Sequence, residues 1–142
     1  MLLSYSLYFC NSAISLKMEN LIIEGSDTLP NVEMHADGKI KLEGRALPED
    51  AVRFFKPVLT WLKEFSGELM NVDINLEYFN TSVSKQLHDF FTIMNTKPES
   101  IKINVTWHYE EGDDEMLESG EIYEELFPRF SFGFNSYEEV IE

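Results

Sequence analysis

The six positions Asn80–Lys85 read NTSVSK, which places an amide, three hydroxyls and a lysine side by side. Just before them LEYF alternates as a strand does, and just after them Val83, Leu87, Phe90, Phe91 and Met94 recur three or four residues apart on one helical face. A strand therefore runs straight into the first turn of a helix at Asn80, Thr81 and Ser82. The first N–H groups of a helix have no intrahelical acceptor and sit at the positive end of its dipole, so such a junction suits an anion, including a phosphate esterified to a side chain. Two uses of Thr81 follow. Thr81, or its neighbour Asn80 or Ser82, can cap the helix, which is worth about 1 kcal/mol, and local chemistry alone favours that use. Thr81 also meets the requirements of a phosphoacceptor: a hydroxyl at an exposed turn, followed by backbone N–H groups and by Lys85 one turn on. A phosphate would add about −1.5 to −2 charges and three strong acceptors to a binding surface. Asn80, Ser82, Ser84 and Lys85 flank it as candidate contacts for a partner.

Other residues with chemical potential are less well arranged. The segment EEGDDEMLESGE, residues 110–121, has seven acids and no base. Its spacing does not match an EF-hand loop, so a solvated loop leading into a helix whose dipole favours acids explains it, and a basic partner would suit it as a surface. His35, His88 and His108 fall on three different expected elements without a metal-binding spacing. No Gly-rich phosphate loop, nucleophile elbow or paired-cysteine motif is present. Catalysis has no visible seat, and no cofactor or metal is expected. A small metal-dependent enzyme built from the histidines and acids remains the third-ranked alternative, behind a constitutive protein-interaction module. Asn104-Val105-Thr106 matches a glycosylation sequon but falls within alternating strand residues.

The elements that must position Asn80–Lys85 are legible around it. The turn signal Asp37-Gly38 separates Asn31–His35 from Lys39–Gly44, two alternating runs that predict a hairpin, and Leu21–Glu24 predicts a further short strand. Pro48, Glu49 and Asp50 predict a helix start. That helix should run to about Phe65, with Val52, Phe55, Leu59, Leu62 and Phe65 on its buried face, Phe54, Val58 and Trp61 widening it, and Pro57 kinking or breaking it. Val72, Ile74, Leu76 and Tyr78 alternate against Asp73, Asn75 and Glu77. Ile101, Ile103, Val105, Trp107 and Tyr109 form the longest alternation. Asp114–Phe127 predicts a third helix, with Met116, Leu117, Gly120, Tyr123 and Phe127 near one face, and Phe130–Phe134 a short edge strand before an acidic end. Strand, helix and strand in succession imply a parallel pair joined by a crossover. Strands that alternate, rather than being apolar throughout, imply a wet second face. The expected fold is a two-layer α/β (α+β) arrangement, a mixed β-sheet with helices mainly on one face.

Composition sets the outer limits. A chain of 142 residues, 44% hydrophobic, can bury one core without disulfides or a structural metal, and its only cysteine, Cys10, cannot form an internal disulfide. The formal net charge of −15 argues against nucleic acid and an anionic membrane as partners, since either needs a basic patch. Residues 1–17 fit no targeting pattern, having no base before their apolar residues and several polar interruptions, and read as a leader or a mis-assigned start ahead of MENLIIEG. Residues 18–142 read as one domain. With no stretch of about twenty apolar residues there is no membrane-spanning helix, and a cytoplasmic location is expected.

LEYFNTSVSK, INVTWHYEEGDDEMLESGE and LEGRALPEDAVRFFKPVLTWLKEF together resemble the SiaC family of bacterial regulatory phosphoproteins. The likeness covers roughly residues 19–135, and YFNTS and WHYEEGDDEMLESGE are its most specific segments. It implies a STAS-like fold and a non-enzymatic, partner-switching role. The family's phosphoacceptor threonine falls on Thr81. It implies further a dedicated protein kinase and a PP2C-type phosphatase acting on that residue. In its unmodified form the protein would bind an effector, which in relatives is a diguanylate cyclase that it activates. The resemblance thus reverses the order that local chemistry alone suggests for Thr81.

Overall fold

Val32 and Met34 pair with Leu42 and Ile40 across the hairpin expected at Asp37-Gly38, so the apolar side of both strands faces one layer. Gly38 takes φ 102°, a conformation open to glycine, and a side chain there would meet the Leu69 carbonyl. The computed structural model describes residues 5–10 and 13–139, with side chains from Met18 onward. Its elements are β1 (Tyr5–Cys10), β2 (Ala13–Met18), β3 (Leu21–Ile23), β4 (Asn31–Met34), β5 (Lys39–Ala46), α1 (Ala51–Glu64), β6 (Leu69–Phe79), α2 (Thr81–Asn95), β7 (Lys102–Glu110), α3 (Asp114–Leu126) and β8 (Ser131–Tyr137).

Strands β3 to β8 form one six-stranded sheet in chain order. The first three are antiparallel neighbours, and β5, β6, β7 and β8 run parallel through the crossovers that α1, α2 and α3 supply. This is the mixed, two-layer sheet that the alternation implied. One face is apolar and carries the helices: Ile40, Leu42, Val72, Ile74, Val105 and Trp107 from the sheet meet Phe55, Trp61, Leu87, Phe90 and Phe91 from the helices, each at most 2% exposed. The other face is polar and held by cross-strand bonds. Asn104 donates to Asn71 at 2.9 Å, while His108 Nε2 lies 2.8 Å from Asp73 and its Nδ1 3.0 Å from the Asn135 amide. If the Asn135 amide nitrogen donates to Nδ1, the imidazole proton sits on Nε2 and is given to Asp73.

Four expectations are corrected or narrowed. Helix α1 starts at Ala51, not at Pro48, because Asp50 is in extended conformation and its carboxylate accepts from Arg53 N–H at 3.0 Å, which makes it the cap. Val52 is 66% exposed, and the buried stripe is Ala51, Phe55, Val58, Trp61 and Leu62. Of the two outcomes expected at Pro57, a kink or a break, the break does not occur, and the helix continues through it to Glu64. Tyr78 does not follow Val72, Ile74 and Leu76 inward. The β5–β6 register skips a residue, Gly44 pairing with Leu76 and Arg45 with Tyr78, so Glu77 is an inserted bulge residue and Phe79 takes the inward place. Tyr78 is consequently 53% exposed, while the Phe79 ring stands edge-on to Trp107 at 6.3 Å. Strands β1 and β2, which lie in the segment read as a leader apart from Met18 at the end of β2, pair with each other and not with the six-stranded sheet. The last three residues of the expected acidic end, 140–142, lie outside the described residues.

Candidate functional site

Strand β6 hands over to α2 at Asn80, which has φ −92° and ψ 177°, the extended geometry of a cap. Its side-chain oxygen accepts from Val83 N–H at 3.0 Å and its carbonyl from Ser84 N–H at 3.0 Å. The cap therefore belongs to Asn80. Thr81 is the first helical residue, exposed, and among the described residues its hydroxyl enters no hydrogen bond. Ser82 is exposed beside it. The N–H groups of these two residues precede any possible helical acceptor, so the positive end of α2 opens to solvent under the Thr81 hydroxyl. Lys85 is exposed four residues on, on the same helical face as Thr81.

Ser84 faces differently from its neighbours. Tyr123 on α3 donates its hydroxyl to the Ser84 carbonyl at 3.0 Å, and the two hydroxyl oxygens are 3.2 Å apart. A phenol has one proton, so Ser84 is the donor in the second bond. Burial pushes the Tyr123 phenol above its ordinary range, partly offset by the Ser84 bond, and keeps the proton that fastens α3 to the first turn of α2.

Helix α3 reaches this position through Gly112, at φ 92°, and Asp113, whose carboxylate accepts from Met116 N–H at 3.1 Å. It then lies flat on Trp107. The indole donates to the Met116 carbonyl at 2.9 Å, and a Cβ on Gly120 would come within 2.6 Å of the indole ring. Glycine at 120 is thus what lets the helix sit against the sheet close enough for Tyr123 to reach Ser84.

Two clefts flank the start of α2. One, of about 230 Å³, begins a turn after Thr81 and is lined by Ser84, Lys85, His88, Ser119, Ile122, Tyr123 and Leu126. Ile122 and Leu126 are 57% and 53% exposed, an apolar pair one turn apart beside the buried Tyr123. The other, of about 110 Å³, is lined by the residues just before Asn80, Glu77, Tyr78 and Phe79, together with Asp113, Glu115, Met116 and Ser119. The surroundings of this rim are negative: burial, reinforced by Glu77, Glu110 and Asp113, pushes the Tyr137 phenol up. A larger open cleft of about 720 Å³ lies at the β5–α1 connection, lined by Thr28, Leu29, Leu47, Pro48, Glu49, Asp50, Arg53 and Phe54, where Asp50 is already engaged as a cap. His35, His88 and His108 stay on separate elements, the β4–β5 turn, α2 and β7. Among the described residues no three His, Cys, Asp or Glu side chains converge to hold a metal ion. No helix among them is long and apolar enough to cross a membrane.

The domain is a mixed sheet with helices on one face, and at its β6–α2 junction Thr81 stands exposed beside the capping Asn80. The model of the SiaC family of regulatory phosphoproteins matches residues 23–137, and the chain belongs to that family. Uncharacterized protein PA14_02130 of Pseudomonas aeruginosa (strain UCBPP-PA14) is 24% identical over 127 residues, 86% of this chain and 100% of that one. The structure of SiaC of Pseudomonas aeruginosa superposes with a TM-score of 0.74 at 24% identity, covering 84% of this chain and 100% of that one. The crystal structure of the diguanylate cyclase SiaD in complex with its activator SiaC, also from Pseudomonas aeruginosa, contains a chain with a TM-score of 0.75 at 24% identity, covering 82% and 99%.

Proposed function

We propose that this chain is a non-enzymatic, cytoplasmic partner-switching regulator whose unmodified form binds and regulates an effector, a diguanylate cyclase, and whose phosphorylation on Thr81 releases that effector. The observation that carries the reading is the division of labour at the junction: Asn80 caps α2, so the Thr81 hydroxyl is exposed and has no structural task. Family membership supports the regulatory role, and the solved complex of a SiaC with a cyclase supports the class of effector.

Chemically, a protein kinase would transfer a phosphoryl group to the Thr81 oxygen and a PP2C-type phosphatase would hydrolyse it. The phosphate would stand over the open N–H groups of α2, within reach of Lys85, and would bring about −1.5 to −2 charges to a rim that already carries Glu77, Asp113 and Glu115. Asn80, Ser82, Ser84 and Lys85 are the parts of the junction that an effector seated there would cover or lean on. The phosphate would fill the place such a partner occupies and would repel an acidic face on it, and a tenfold loss of affinity requires only about 1.4 kcal/mol. Mass spectrometry of the protein after incubation with its kinase tests the assignment. Phosphate on Thr81, absent from a Thr81→Ala variant, is expected; modification confined to Ser82, Ser84 or another residue would overturn it.

A further inference from the structure

We propose that the free edge of β8 is a self-pairing surface, at which two copies of this chain join as a two-fold antiparallel strand pair centred on Phe134. The proposal stands apart from the phosphoswitch, since it draws on the opposite edge of the α3–β8 unit and not on Thr81. Among the described residues β8 has a strand on one side only, β7. The Tyr137 carbonyl accepts from Glu111 N–H at 2.7 Å, which fixes the parity of the strand. Both backbone polar groups of one residue point to the same side of a strand and successive residues alternate, so Ser131, Gly133, Asn135 and Tyr137 bond toward β7. The N–H and C=O groups of Phe132, Phe134 and Ser136 point the other way, into the open edge.

Proteins normally blunt such an edge with lysine, proline, a bulge or brevity. Here none of these is present. From Phe130 to Tyr137 the sequence FSFGFNSY contains no charge and no proline, the strand is seven residues long and no bulge interrupts its register. The opposite edge, β3, is only three residues and ends against Glu24. Phe132 and Phe134 are half-buried, their rings 5.4 Å apart, with Phe132 leaning on Trp107 at 6.4 Å. They lie on the apolar face, at the margin of the core.

The occupant that matches this edge is the edge itself. Pairing Phe134 with Phe134 of the second copy sets Phe132 opposite Ser136 and lets all three outward residues of each copy exchange both of their hydrogen bonds. The same register sets Gly133 opposite Asn135, where a Cβ on Gly133 has open space around it, and joins the phenylalanine margins of the two cores. It also brings the end of one strand, Glu138 and Glu139, near the start of the other, where Arg129 lies with its guanidinium bonded to the carbonyls at the end of α2 and its positive charge retained. A strand whose first flanking charge is positive and whose last is negative is complementary to its own reverse. Opposing this, each copy carries a net charge of −15, so the association must tighten as salt screens the long-range repulsion.

Sedimentation velocity of the full chain over a micromolar concentration series, at low and high NaCl, reads the equilibrium. A monomer–dimer equilibrium that shifts toward dimer with salt is expected. Ser136→Pro removes an outward N–H and no bond to β7, and should weaken the dimer by about tenfold or more while the circular dichroism spectrum is kept. As a second arm that does not rely on proline, Gly133→Cys with Asn135→Cys in a Cys10→Ser background should oxidise to a reducible covalent dimer, and either cysteine alone should not. A chain that stays monomeric throughout, even if its edge captures a strand from another protein, would overturn the proposal. So would a dimer that Ser136→Pro leaves intact and the cysteine pair fails to trap.

Discussion

Asn80 and Thr81 are adjacent, both polar, and both at the start of α2, yet the structure predicts opposite consequences for removing them. Asn80→Ala deletes the acceptor of Val83 N–H, a 3.0 Å bond, and Val83 is fully buried, so the orphaned donor has little access to water. Loss of a cap costs about 1 kcal/mol, and about 2 kcal/mol where the donor is left unsatisfied. For a domain of this size that corresponds to a drop of roughly 4–8 °C in Tm. Thr81→Ala deletes an exposed hydroxyl with no bond to lose and should stay within about 0.5 kcal/mol of the parent. Asn80→Asp keeps an oxygen acceptor and should recover most of the loss. Urea denaturation of the three variants, with thermal melts alongside, decides it. If Thr81→Ala costs as much as Asn80→Ala, Thr81 carries a structural load and the reasoning that freed it for modification is wrong.

Three other outcomes are expected. Gly120→Val drives a side chain into the fully buried Trp107 indole, and should cost about 1–3 kcal/mol in chemical denaturation and shift the tryptophan fluorescence as α3 lifts. Tyr123 has a folded-state pKa above the ordinary phenol value of 10.0, so the folded state holds that proton more tightly than the unfolded chain. Its contribution is complete below about pH 10 and is lost as pH rises through the raised value, so the alkaline limb of stability against pH should flatten in Tyr123→Phe, which also loses about 1 kcal/mol at neutral pH. Arg129 donates to the carbonyls of Asn95, Lys97, Pro98 and Ile101 at 2.6–3.1 Å and so closes the C-terminal end of α2. Arg129→Met should lower stability by about 2–3 kcal/mol in urea, and Arg129→Lys should not restore it, because an ammonium cannot reproduce the planar fork.

Much of the fold can be read from the sequence because alternation and glycine-marked turns report local geometry directly. Val32 and Met34 against Ile40 and Leu42, and the run from Ile103 to Trp107, face the core as their pattern requires. What escaped is non-local. The bulge at Glu77 that turns Tyr78 outward depends on how β6 meets Gly44 and Arg45, residues more than thirty positions away in the chain. Val52 has the right spacing for the buried face of α1, but Asp50 sets the start of the helix and Ala51 takes the inward place. The junction itself shows the same division. Its hydroxyls, its helix start and Lys85 are plain in NTSVSK, whereas three capping candidates could not be separated until the Asn80 dihedrals and its bond to Val83 did so. That Ser84 turns to Tyr123, and that Ile122 and Leu126 are left exposed beside it, follows from α3 packing through Gly120 onto Trp107; the pattern within α3 puts Gly120 on the inner face but does not say which strand or helix it meets.

The most direct test of the central claim is the affinity of the unmodified and the Thr81-phosphorylated protein for a diguanylate cyclase of the same organism, measured by calorimetry on matched samples. The account predicts tight binding of the unmodified form and a loss of at least about tenfold, or 1.4 kcal/mol, on phosphorylation. Equal binding of the two forms would contradict it and would leave a constitutive interaction module in place of a switch.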